Sequence, residues 1–283
     1  REEDEEVARA LLTVLYAAAA TLALAFLLLP IVAIFAHTTP THLFDQLSNP
    51  VVTDALVVSF KTSAIAQLMI LLLGTPTAYL IATQRFRGRG AVITLVELPL
   101  VLPPAVAGVG LLAAFGRFGL LGSSLRWAGV SLPFTQSAVT VAVAYVASPL
   151  YIRQAIASFE ALDPHLLAAS RTLGASAART FFRVSLPLAR GGLIAGLALS
   201  FARGLGEFGA TIMFAGSLQR VTQTLPLAIY AEFDQDFDTT LAMSAVLVVI
   251  SVTLLLGLRI GLTWRTNSNS SRSGFLYGPS ISS

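Results

Sequence analysis

The sequence predicts an all-α integral membrane protein with six transmembrane helices. Three observations carry that prediction. Of the 283 residues, 55% are hydrophobic and only 12% are charged, against about 25% charged in an ordinary soluble domain. The mean hydropathy is +0.77. Apolar runs long enough to cross a hydrocarbon core, about 20 residues each, recur six times.

The runs cover residues 11–35, 54–82, 92–115, 134–158, 190–215 and 239–263. Glu2, Glu3, Asp4, Glu5 and Glu6 stand ahead of the first. A secretory signal starts basic and holds about 7–15 apolar residues, so this longer run is expected to stay as a spanning helix. Residues 1–10 then form an acidic terminus and 11–263 the membrane domain. Lys61 lies in the second run, roughly 10 Å from its outer end at about 1.5 Å per residue. It is expected to snorkel to the surface; the alternative is that it lines an anion path with Ser59, Thr62 and Ser63.

The third run carries Pro99, Pro103, Pro104, Gly108 and Gly110. Proline removes a backbone donor and clashes with the preceding turn, so a kink or break is expected near 99–104. Broken backbone at membrane depth must be covered by protein or line a water-filled cavity, which predicts an interior position. In the fifth run Arg203 and Glu207 lie four apart, on one helix face, where they can pair. Either charge alone at the bilayer centre would cost about 2.5–3.5 kcal/mol. The pair either locks helix packing or sets Arg203 beside an anion path. Gly204, Gly206 and Gly209 allow close helix approach, suited to a dimer seam or a gate. Residues 264–283, rich in Ser, Asn and Gly, have little to bury and are expected to be a disordered tail.

Arginine placement predicts the orientation. Arg85, Arg87, Arg89, Arg153, Arg171, Arg179, Arg183, Arg190, Arg1, Arg9, Arg259, Arg265 and Arg272 fall on one side, and only Arg117, Arg126 and Arg220 on the other. Basic residues mark the cytoplasmic side, so both termini are expected there, as an even number of spans requires.

Several function classes drop out. The net charge of +3 is not gathered into a basic patch with interleaved aromatics, so no nucleic-acid partner is expected. Cysteine is absent, which removes disulfides, thiolate metal sites and cysteine nucleophiles. Of the three histidines, His37 and His42 share one loop and His165 stands apart; they are read as solvated, and no metal or catalytic residue is expected. A P-loop ends in Gly-Lys-Ser/Thr, whereas the one lysine, Lys61, follows Phe60 inside a span. The chain therefore cannot bind ATP through that motif.

The longest connection on the arginine-rich side, 158–187, has its own local code. Leu162, Leu166, Ala169 and Leu173 recur at helical spacing. Asp163-Pro164 suits a helix start, Gly174 suits a left-handed stop, and Ser176 can cap a second helix. The predicted unit is a short helix, a tight turn and a second helix bearing Arg179, Phe181, Phe182 and Arg183. The bland alternative is an amphipathic connector between two spans.

This stretch resembles the cytoplasmic "EAA" loop of binding-protein-dependent ABC importer permeases: Glu-Ala-Ala, three residues, Gly, nine residues, Ile-x-Leu-Pro. Here it reads Ala168-Ala169-Ser170, Arg171-Thr172-Leu173, Gly174, nine residues, then Val184-Ser185-Leu186-Pro187. The family's Glu is replaced by Ala168, its second Ala by Ser170 and its Ile by Val184; the Gly, the Leu-Pro and both spacings hold. Three further stretches are similar to oxyanion permeases, those for molybdate above all: Leu98 to Gly108, Ala202 to Gly216 and Thr222 to Tyr230. Tungstate permeases are close relatives of that group, and sulfate permeases share its layout.

The resemblance implies a type I ABC importer permease with a coupling helix at 162–183. Leu166, Ala168, Ala169, Ser170, Arg171, Thr172, Leu173, Gly174, Ala175 and Ser176 would contact a separate ATPase dimer, which would hold ATP and Mg; this chain would bind no cofactor. It further implies a homodimer in the inner-membrane lipid. An external oxyanion-binding protein would dock on loops 36–53, 116–133 and 216–238, which carry Asp45, Glu232, Asp234, Asp236 and Asp238. Lys61, Ser63, Pro103, Pro104, Arg203, Glu207 and Thr211 are the candidates for a path or gate. A dianion must also leave, so no high-affinity site is expected within the spans. A secondary anion transporter and a non-transporting scaffold are the readings from other classes.

Overall fold

In the computed structural model, residues 2–38, 41 and 45–273 are described, and the protein is helical almost throughout. The elements are α1 (Glu2–Ala36), α2 (Pro50–Thr83), α3 (Arg89–Val101), α4 (Pro104–Phe115), α5 (Gly122–Trp127), α6 (Gln136–Glu160), α7 (Pro164–Thr172), α8 (Ala177–Thr180), a π-helical turn (Phe181–Ser185), α9 (Leu186–Leu205), α10 (Gly209–Ala215), α11 (Leu225–Glu232) and α12 (Phe237–Ser273). Among the described residues, five helical stretches are long and apolar enough to cross a membrane, and the bent pair α3–α4, taken as one broken span, gives a sixth. Six spans are thus present as expected. α12 carries helical backbone past 263 as far as Ser273, into the segment expected to be a tail, and residues 274–283 lie outside the described region.

The core is α6, sandwiched between α2 and α9. Lipid tails are as apolar as leucine, so close packing and interhelical hydrogen bonds hold such helices together. Both appear here. Tyr151 of α6 is fully buried and its hydroxyl lies 2.6 Å from the Thr75 hydroxyl of α2. On α9, a Cβ at Gly196 would sit 2.9 Å from Gln154 Cβ, and one at Gly204 would sit 2.8 Å from Val143. α1 lies at the edge, touching the bundle along α12.

Two spans are interrupted. α3 and α4 turn through 112° at Leu102–Pro103. Pro103 and Pro104 each lack the N–H that would bond back four residues, so two successive rungs are missing. Leu102 takes the extended conformation (ψ 134°) imposed on a residue before proline. This break falls where the prolines predicted it.

The second break corrects the sequence reading. The fifth span is not one helix over 190–215: it starts at Ala177, passes through the π turn, ends at Leu205 and resumes at Gly209. The reason is local competition. In a continuous helix the Ala210 N–H would go to the Gly206 carbonyl; instead it donates to the Glu207 carboxylate at 2.8 Å. A side-chain acceptor has displaced the backbone one.

The outer connections are also more structured than expected, since α5 and α11 lie within the segments read as loops. Leu225 N–H donates to Ser59 Oγ at 2.7 Å, and Arg220 Nε donates to Asp54 at 3.0 Å, folding the connection after α10 back onto the outer end of α2. Asp236, the last residue before α12, accepts from the Asp238 and Thr239 backbone N–H groups at the start of that helix.

Candidate coupling loop and translocation path

The coupling loop has the geometry its residues predict. Asp163 caps α7 by accepting from the His165 N–H at 2.9 Å, and Pro164 takes the first turn. Gly174 has φ +82° and ends that helix in the left-handed region. Ser176 accepts from the Arg179 N–H and starts α8. The two short helices are tied by Ser170 and Thr180, whose hydroxyls lie 3.0 Å apart.

The loop leaves apolar side chains exposed. Leu173 is 88% exposed, and Leu166, Ala168, Ala169, Arg171, Thr172, Gly174 and Ser176 are exposed beside it. Of the ten residues predicted to make the contact, Ser170 and Ala175 are half-buried. A groove of about 590 Å³ runs alongside, lined among others by Leu166, Leu173, Arg179 and Arg183. Burying an exposed leucine gains about 1.5–3 kcal/mol, so this surface favours a partner over water.

Its root is rigid. Tyr79 of α2, Phe159 of α6 and Phe181 of the π turn pack edge to face, with centroids 4.7 Å (Tyr79–Phe181) and 5.2 Å (Tyr79–Phe159) apart. Arg89 at the start of α3 pairs with Glu160 at the end of α6, and Arg153 pairs with Glu97 at 3.3 Å. The arginine-rich segments 83–91 and 153–190 therefore meet at one end of the bundle.

In the interior, Arg203 Nη1 lies 2.9 Å from Glu207 Oε2. The expected pair forms, but across the break after Leu205 and not along one helix face. The Glu207 side chain is 1% exposed and that of Arg203 34%. Both Glu207 oxygens are engaged, one by Arg203 and one by Ala210 N–H. Arg203 makes no other polar contact among the described residues. It sits in the last turn of α9, where the helix dipole favours a cation.

The two breaks meet. A Cβ at Gly209 would lie 2.7 Å from Pro104 Cβ, and one at Gly108 would lie 2.7 Å from the Ala210 carbonyl oxygen. The half-helices α4 and α10 thus press backbone to backbone, beside Pro103, Pro104, Glu207 and Thr211. Gly204 faces Val143 within the same chain, where it allows the close helix approach expected of it. Lys61 is exposed, whereas Ser63 is buried.

Sequence reasoning missed Gln67. It is 7% exposed on α2, accepts a hydrogen bond from Ser200 Oγ of α9 at 2.8 Å, and leaves its Nε2 donor unpartnered. The signal was present: Ser59, Ser63 and Gln67 form a polar row at intervals of four, one face of a helix. Thr211 Oγ1 is likewise buried without a partner.

Interrupted spans around a buried ion pair, with a protruding two-helix loop at one end, define a multi-spanning transport permease. The chain belongs to the family of binding-protein-dependent transport system inner membrane components, which matches residues 72–263, and is thus a multi-pass ABC importer permease of the inner membrane. It is 42% identical over 234 residues to the "Molybdenum transport system permease protein ModB" of Mycobacterium tuberculosis, covering 82% of this chain and 88% of that one. It is 34% identical to the "Probable transport system permease protein NifC" of Clostridium pasteurianum, over 89% of this chain and 88% of that one. Among solved structures, a bacterial alginate ABC transporter matches with a TM-score of 0.68 at 16% identity, covering 87% of this chain and 92% of that chain. The methionine transporter MetNI in an inward-facing form matches with a TM-score of 0.56 at 16% identity, over 75% and 93%. These two support the fold.

Proposed function

We propose that this permease imports an oxyanion, molybdate foremost, by alternating access. It works as a homodimer moved by a separate ATPase pair that holds ATP and Mg, and receives cargo from an external binding protein. The observation that carries the motor part of this reading is the exposed coupling loop, in which α7 and α8 leave Leu166, Leu173 and the Gly174 turn on the surface. The oxyanion rests on the motifs Leu98 to Gly108, Ala202 to Gly216 and Thr222 to Tyr230, and on relatives named for molybdenum transport.

The mechanism follows from how the parts are joined. α9 has the coupling loop at one end and Arg203 at the other, about 30 Å away at 1.5 Å per residue. ATP binding closes the ATPase pair, shifts the loop, and carries α9 with it; the joined half-helices α4 and α10 then open the path outward. Hydrolysis resets it. Asp54, Glu97 and Glu207 within the spans are each paired with an arginine, which speaks against a proton-coupled secondary transporter.

Uptake by reconstituted permease, ATPase and binding protein tests both parts. Labelled molybdate should enter only with ATP and all subunits present. Unlabelled molybdate or tungstate should compete at least tenfold better than sulfate. Uptake by the permease alone would refute the motor, and equal competition by sulfate would refute the substrate.

A further inference from the structure

We propose that Arg203 and Gln67 form a waystation for the transiting oxyanion inside the membrane, and that Glu207 is a built-in counter-charge that keeps its hold weak. The inference rests on the oxyanion-import reading and deepens it.

Two independent observations point to a missing acceptor. Arg203 is partly exposed and spends a guanidinium nitrogen on Glu207, and its other N–H donors have no acceptor among the described residues. Arginine carries five such donors in a planar fork matched to oxyanions. Separately, Gln67 is buried with an amide donor that has no partner among the described residues, and leaving a buried donor unpaired is costly. The two are brought together by Ser200, which holds the Gln67 oxygen at 2.8 Å and lies three residues before Arg203. On a helix that spacing puts neighbours about 5–6 Å apart on one face. Two donor groups on adjoining helices thus lie at about one level of the bundle, where a tetrahedral oxyanion would supply acceptors to both.

Glu207 explains why such a site would not trap its cargo. A lone guanidinium in low dielectric would bind a dianion tightly, and conduction needs binding weak enough to release. The fully buried carboxylate cancels the arginine charge at rest. An arriving anion must bind Arg203 by its remaining hydrogen bonds while repelled by Glu207. Because Glu207 also holds the Ala210 N–H, its carboxylate cannot swing aside without loosening the start of α10. The counter-charge is fixed in place.

The test is equilibrium retention of radiolabelled molybdate by the assembled permease–ATPase complex in lipid nanodiscs, without binding protein. Glu207→Gln should hold the anion at least tenfold tighter than the unaltered complex and import it more slowly. The double variant Arg203→Gln/Glu207→Gln should lose that gain. Retention no tighter in Glu207→Gln, or equal in both variants, overturns the proposal. Should Glu207→Gln fail to assemble, Gln67→Leu decides: a several-fold rise in the uptake KM supports the waystation, and an unchanged KM overturns it. Failure of the oxyanion reading would look different, because the unaltered complex with its binding protein would then import no molybdate, tungstate or sulfate.

Discussion

Tyr151 and Thr75 illustrate how single polar groups hold apolar helices together. Their hydroxyls meet at 2.6 Å between α6 and α2, in surroundings with no water to replace either partner. Interhelical bonds of this kind average about 0.6 kcal/mol in membranes, with a maximum near 1.7. Tyr151→Phe should therefore destabilise the bundle by about 1 kcal/mol, measured as a lower unfolding midpoint in detergent; no shift would mean that the pair is not formed. At this scale local chemistry was readable in advance. Asp163, Gly174 and Ser176 were identified as cap, stop and cap because each acts on backbone within three residues. The break at Glu207 was not, because its carboxylate competes for a single N–H against an otherwise helical sequence.

Among the elements, the loop of α7 and α8 is where force would enter, and Gly174 sets its shape. An added Cβ there meets nothing within 4 Å, yet the residue sits at φ +82°, a conformation costing an L-residue roughly 1–2 kcal/mol. Gly174→Val should leave room in the isolated permease but reshape the turn and intrude on the docked partner. The expected result is an assembled complex that hydrolyses ATP while uptake falls at least tenfold. Unchanged uptake would show that the turn does not transmit the stroke. The aromatic packing of Tyr79, Phe159 and Phe181 at the loop's root carries the same logic inward, since a rigid joint passes displacement to α9. The π turn at Phe181–Ser185 sits at that joint, and such turns recur at functional sites.

For the whole molecule, orientation is the property on which the mechanism depends. The arginine-rich segments share one end of the bundle, and α5 lies at the opposite end, beyond the half-helix α4. Because the chain has no cysteine, introduced thiols report without background. In intact cells a membrane-impermeant maleimide should label Ser124→Cys, whereas Thr172→Cys should be labelled only after permeabilisation. The reverse pattern would put the coupling loop on the outer face and end the ATP-driven reading.

Composition and the order of apolar runs determined that this chain lives in a membrane, how often it crosses, and that its prolines interrupt the third crossing. Sequence motifs determined its family, because the coupling loop is written in short-range signals. Tertiary structure decided which helix faces meet. It set Gly204 against Val143 and Gly209 against Pro104, and it joined Gln67 to Ser200 across 133 residues of chain. The physical reason is the solvent. In water, an apolar stripe tells the buried side of a helix from the exposed one; in lipid both sides are apolar, so hydrophobic periodicity falls silent and only packing reveals the interior.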